Sequence, residues 1–264
     1  MAPRIWLWPN LLSLDAPLVA VLWQVLFVRC LRTEADARLS LGRDLLPAVL
    51  LVAAVWLIYT ADRVLDAWRG VDHRPRHEFY RRHWRAVLPV WMAVLGITGW
   101  LAWTTLVPAV FVRGLWLLGA VIVYLAAVHA LPVRLAAMKE AMVAVLFALG
   151  ATLAAWNQVR TLADILTVVI FSLLCWMNCA AIEHWESGSR RWSVGVLAAC
   201  VGLAAMLCLH QQRPILGAAE TASAFGFVLL DRSRMRLSAD ALRVLADVAL
   251  LSPVFFLPLV GIPV

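Results

Sequence analysis

Charge is what this chain lacks. Only 15% of its 264 residues are Asp, Glu, Lys or Arg, against about 25% in soluble domains. Hydrophobic residues make up 64% of the chain, with a mean hydropathy of +0.85. That balance excludes a soluble globular protein. No polar stretch is long enough for a separate soluble domain, so residues 1–264 read as one integral-membrane domain. Lysine is nearly absent: Lys139 is the single lysine among 23 cations. The arginines sit mostly in the breaks between apolar runs. The net charge of +7 therefore reports topology and contact with anionic lipid headgroups, not nucleic-acid binding. Cysteine pairing is missing too. Cys30, Cys175, Cys179, Cys200 and Cys208 all lie in apolar stretches; Cys175 and Cys179 share a helix face, but no second pair makes a zinc site or a disulfide framework. At the N-terminus Asp15 interrupts the first apolar run and no small-residue cleavage site follows, so a cleaved leader is not expected.

What is present is a succession of apolar runs. Each spanning helix needs about 20 mostly apolar residues, and nine such spans are expected: 14–31, 43–68, 85–105, 108–131, 135–156, 161–186, 190–210, 214–231 and 241–260. Pro17, Pro108 and Pro214 fall where a first helical turn accepts proline. Nine spans put the termini on opposite sides. The N-terminus and the loops after even-numbered spans then carry fifteen cations, and the other side carries seven. The positive-inside rule places the N-terminus in the cytoplasm and the C-terminus outside, with a bacterial inner membrane as the expected setting.

The second span closes on "YTADRVLDAWR", with Asp62 and Asp66 four apart on one helix face. Two like charges at that spacing repel, and the macrodipole disfavours anions at a C-terminal end. The pair calls for a cation, either Arg63 or a bound Mg²⁺ shared with a phosphate. The sixth span ends "CWMNCAAIEHWESGSRRW", with Glu183 and Glu186 three apart and Asn178 earlier on the helix. Both acidic ends are followed by arginines. Carboxylates and arginines together suit a metal-bridged diphosphate, above an apolar bundle able to hold a lipid tail. The plainer alternative is headgroup-level charges paired with nearby arginines.

At these motifs the chain resembles the UbiA superfamily of intramembrane prenyltransferases, whose members have nine helices and aspartate-rich motifs ending helices 2 and 6. "DRVLD" matches the last five positions of the first motif, N-D-x-x-D-x-x-x-D, while Ile58 and Tyr59 replace its leading Asn and Asp. "NCAAIEHWE" stands at the second motif, and "VYLAAVHALPVRLAAMKE" stands where the family has a tyrosine and basic residues. The resemblance implies an all-α, nine-helix bundle and an Mg²⁺-dependent enzyme moving an isoprenoid chain from a prenyl diphosphate to a lipophilic, aromatic acceptor. It implies Asp62, Asp66, Glu183 and Glu186 as metal ligands and catalytic residues. Asn178, Arg63, Arg69, Arg76, Arg134, Lys139, Tyr59 and Tyr124 would meet the substrate, and Trp56 or Trp176 would join the tyrosines in shielding an allylic cation.

A cyclase acting on a prenyl diphosphate without acceptor needs the same metal motif. A non-catalytic isoprenoid-binding protein remains the third reading. A CDP-alcohol phosphotransferase is excluded because its D-G opening is absent, and a secondary transporter is disfavoured because spans 2 and 6 lack midplane breaks. The stretch "HRPRHEFYRRHW" reads as a headgroup-binding or gating loop, with Pro75 spoiling any helix that joins His73 to His77. His129, His184 and His210 read as core histidines, and Asp15 as an N-cap of the first span.

Overall fold

The computed structural model describes residues 8–32, 41–69, 75–130, 136–187 and 193–260. Among them every regular element is helical and no strand occurs. The α-helices are α1 (Trp8–Leu11), α2 (Asp15–Leu31), α3 (Leu41–Arg69), α4 (Pro75–Thr105), α5 (Pro108–Ala130) and α6 (Ala136–Thr152). They continue as α7 (Leu162–Ser187), α8 (Val194–Leu209), α9 (Pro214–Ser233), α10 (Ala239–Ala249) and α11 (Pro253–Phe256). Among the described residues seven segments are long and apolar enough to cross a membrane: Leu45–Trp68, Phe79–Thr105, Pro108–His129, Met138–Ala155, Leu162–Glu186, Pro214–Arg236 and Ala239–Val260. The chain is a polytopic helical membrane protein.

Nine such spans were expected. The two that fall short are α2, with 17 residues, and α8, with 16. At about 1.5 Å per residue, α8 rises about 24 Å, less than the ~30 Å hydrocarbon core. Two boundaries also differ. The helix of the third span begins at Pro75 and its apolar segment at Phe79, rather than at 85, because proline is well placed at the first helical position, where its missing N–H has no partner to lose. The segment 75–84 is thus helix rather than loop. The last span is not one helix: α10 stops at Ala249 and Pro253 opens α11, as a residue that cannot continue the backbone ladder requires.

The chain forms two compact units, Met1–Val21 with Leu41–Leu131, and Leu22–Ser40 with Pro132–Val264. In the first, α4 packs along α3. Trp91 Nε1 donates to the Leu57 carbonyl at 2.9 Å, and Trp56 Nε1 donates to the Leu12 carbonyl at 3.0 Å. Ser13, at φ 58°, turns the chain after α1 in the left-handed region. Its buried hydroxyl pairs with Tyr80 Oη at 2.8 Å. The outer faces of α4 and α5 carry Trp100, Trp103 and Trp116, each at least 66% exposed. On a membrane protein such a face meets lipid.

The second unit has a denser core. Trp23 and Phe171 stack with centroids 4.4 Å apart, and Trp23 Nε1 donates to the Leu250 carbonyl at 2.8 Å. Small residues bring α8, α9 and α10 together, as in other membrane helix pairs. A Cβ on Gly217 would come within 2.8 Å of Leu209 Cβ, and one on Gly226 within 2.9 Å of Ala249 Cβ. A buried ion pair ties the start of α7. Asp164 accepts from the Arg160 and Thr161 amides at 3.0 and 2.9 Å and from Arg213 Nε at 2.7 Å. Thr161 Oγ1 accepts from the Asp164 amide at 3.2 Å, completing a reciprocal cap.

Candidate functional site

The sequence-derived candidates fall in both units. In the first, α3 carries Tyr59, Asp62 and Asp66 on one face through its last turns. The two carboxylates do not turn to Arg63. They converge on His129, in the last turn of α5. His129 Nε2 lies 3.2 Å from Asp62 Oδ1, and its Nδ1 lies 3.8 Å from Asp66 Oδ1. The imidazole is 11% exposed, whereas the Asp62 and Asp66 side chains are 33% and 29% exposed. The acids therefore reach the surface while their partner is largely enclosed. Tyr124 is buried on α5, and Tyr59 is half-buried.

Arg63 serves a different purpose. Its guanidinium donates to the Asn10 carbonyl and lies 3.7 Å from Asp15 Oδ2. Asn10 Nδ2 donates to the same carboxylate at 2.6 Å, and Asp15 Oδ1 accepts from the Ala16 amide at 3.0 Å. Asp15 was expected as the N-cap of this span; it is instead the first residue of α2, the Leu14 carbonyl accepting from the Leu18 amide, and its carboxylate anchors α3 to the turn after α1. Arg134 and the side chains of Arg69 and Arg76 lie outside the described residues, as do His73 and the side chain of His77.

In the second unit the glutamates behave unlike each other. Glu183 is exposed, while Glu186 accepts from Arg243 of α10. Asn178 Nδ2 donates to Asp247 Oδ1 at 3.1 Å. Lys139, Glu140 and Asp247 all lie within electrostatic reach of Cys179. The end of α7 is thus bound to α10 by two polar contacts one helical turn apart, Arg243 and Asp247 being four residues from each other on the same face.

Two functional candidates, Arg243 and Asp247, escaped the sequence reading, and His129, read there as a core histidine, stands against the aspartates instead. A signal existed for His129. It closes an even-numbered span, as Asp62 and Asp66 do, so all three were due at the same membrane surface. Arg243 and Asp247 gave no comparable sign, since helical periodicity says nothing of which distant helix an amphipathic face meets. Glu220, fully buried in α9, was also passed over; neither of its oxygens has a hydrogen-bond partner among the described residues.

Among the described residues no three His, Cys, Asp or Glu side chains are arranged around a common metal position. Asp62 and Asp66 nevertheless suit Mg²⁺, which is typically held by one or two carboxylates together with substrate phosphates. Their Oδ1 atoms already converge on one group. Glu186 is less available, because Arg243 engages it. Comparison with protein-family models, curated proteins and solved structures returned no match to this chain.

Proposed function

We propose that this chain is a UbiA-like, Mg²⁺-dependent intramembrane prenyltransferase, moving an isoprenoid chain from a prenyl diphosphate to a lipophilic, aromatic acceptor. The observation that carries the reading is the convergence of Asp62 and Asp66 at the partly exposed end of a membrane helix. In this reading Asp62 and Asp66 hold the metal, which neutralises the departing diphosphate. By the resemblance Arg69, Arg76, Arg134 and Lys139 are the cations that would neutralise the leaving diphosphate. Glu183 and Glu186 would, by the same resemblance, be further carboxylates of the enzyme and Asn178 a substrate contact. Tyr59 and Tyr124 offer ring faces to the allylic cation. Arg63, engaged by Asp15, supports α3 rather than the diphosphate. The proposed topology has α2 and α8 crossing as shortened spans, with the N-terminus in the cytoplasm of a bacterial cell and the C-terminus outside.

The test is diphosphate release from farnesyl and geranylgeranyl diphosphate by the purified protein, with and without Mg²⁺ and with aromatic acceptors present. Magnesium-dependent release that disappears in Asp62→Ala and Glu183→Ala supports the assignment. A cyclised hydrocarbon in place of a prenylated acceptor would make the enzyme a cyclase. No release from any chain length sinks the catalytic reading in favour of an isoprenoid-binding role.

A further inference from the structure

We infer that His129 is a positioning residue for the Asp62–Asp66 pair: from α5 it takes one oxygen of each carboxylate and so aims the pair at a divalent cation. The inference rests on the proposed function of that site. Four residues apart on one helix, the two aspartates repel each other, and the macrodipole opposes both. Left alone they would splay into separate rotamers. A single imidazole counters this, lying within hydrogen-bond distance of Asp62, 67 residues away, and 3.8 Å from Asp66. Its two ring nitrogens point in different directions from a rigid plane, so one side chain engages two acids at once. The contacts use Oδ1 of each carboxylate; Oδ2 of each takes no part in them.

Burial gives the arrangement a direction. The imidazole is the enclosed partner and the carboxylates are the accessible ones, so a cation arriving from solvent meets oxygen before nitrogen. A group that hydrogen-bonds a metal-binding carboxylate fixes its orientation, and its loss typically weakens metal affinity about 10- to 100-fold. Histidine suits this task better than the neighbouring Arg63, whose guanidinium is already committed to Asp15 and the Asn10 carbonyl.

The experiment measures Mn²⁺ binding to the full-length protein in nanodiscs by electron paramagnetic resonance, without prenyl diphosphate, then with inorganic diphosphate. His129→Ala should weaken binding about 10- to 100-fold, and His129→Gln, which keeps an N–H donor, should recover part of that loss. Asp62→Asn should lose more than either. Wild-type affinity in His129→Ala, with the variant folded as judged by its melting transition, overturns the inference and leaves the proposed function standing. Tighter binding in that variant also overturns it, since His129 would then be competing with the metal. A wild-type protein that binds no Mn²⁺ under either condition removes the site reading, and the inference with it.

Discussion

Two helices of this protein end in paired acids, and the pairs have opposite fates. Asp62 and Asp66 act as a unit, both turned to one imidazole and both about one-third exposed. Glu183 and Glu186 do not: one is exposed, and the other is joined to Arg243 with only 15% of its side chain accessible. The spacing explains part of the difference. At i,i+4 two side chains lie one above the other, whereas at i,i+3 they lean to either side of the stripe. The partners explain the rest. Imidazole meets two acids, whereas the Arg243 guanidinium meets one, through a single charge-assisted contact from Nη2 to Glu186 Oε1. The first pair keeps about a third of its surface open beside its partner, and the second is closed into the fold.

The strongest way to break this comparison is through activity. Asp62→Asn should lower Mg²⁺-dependent diphosphate release by about a hundredfold or more, since it removes charge where several kcal/mol of metal-borne stabilisation are needed. Glu186→Gln should reduce release less than Asp62→Asn, because its carboxylate is already engaged. Equal losses would erase the distinction between the two ends.

Stability should run the other way. Arg243→Gln leaves a largely buried Glu186 without its cation, and truncating one partner of such a pair costs about 3 kcal/mol. The double variant with Glu186→Gln should recover most of that loss in denaturant unfolding. A single variant as stable as wild type would mean that the ion pair does not hold α10 to α7.

Glu220 supplies a contrast to both pairs, an acid with no hydrogen bond to either oxygen among the described residues. Glu220→Met should raise stability by about 1 kcal/mol, because a buried polar group left unsatisfied opposes folding. A fall in melting temperature instead would show that the carboxyl engages something other than the protein. The smallest effect is expected at His129→Gln, within about 0.5 kcal/mol, because its aspartate partners are solvated and exposed charge contacts contribute little. A loss of several kcal/mol there would turn the first pair into a structural device like the second.

Much of the architecture was legible before any coordinates. Apolar runs of about 20 residues leave little choice in a bilayer, where every backbone polar group must be paired within its own helix. The reading erred where one local rule met another. Pro75 looked like a helix breaker but is the first residue of α4, and Pro253 divides a run that hydropathy alone treats as continuous. α8 is shorter than expected because Ser193 caps it, its side chain accepting from the Val196 amide, so the helix starts at Val194 rather than 190. At the candidate site, the same-face placement of Asp62 and Asp66 followed from their spacing. Their partner did not, because Arg63 is adjacent in sequence and was the obvious cation.

Composition alone made this an all-helical membrane protein, and helical period alone put the carboxylates of α3 on one face. Those properties depend on residues within a few turns of each other. Which partner answers which acid was decided by tertiary structure. His129 reaches Asp62 across 67 positions, Arg243 reaches Glu186 across 57, and Arg63 is drawn off to Asn10 across 53. Charge attraction has no preference for sequence distance. It goes to the nearest donor with suitable geometry and burial, and only the packing of the helices determines which donor that is.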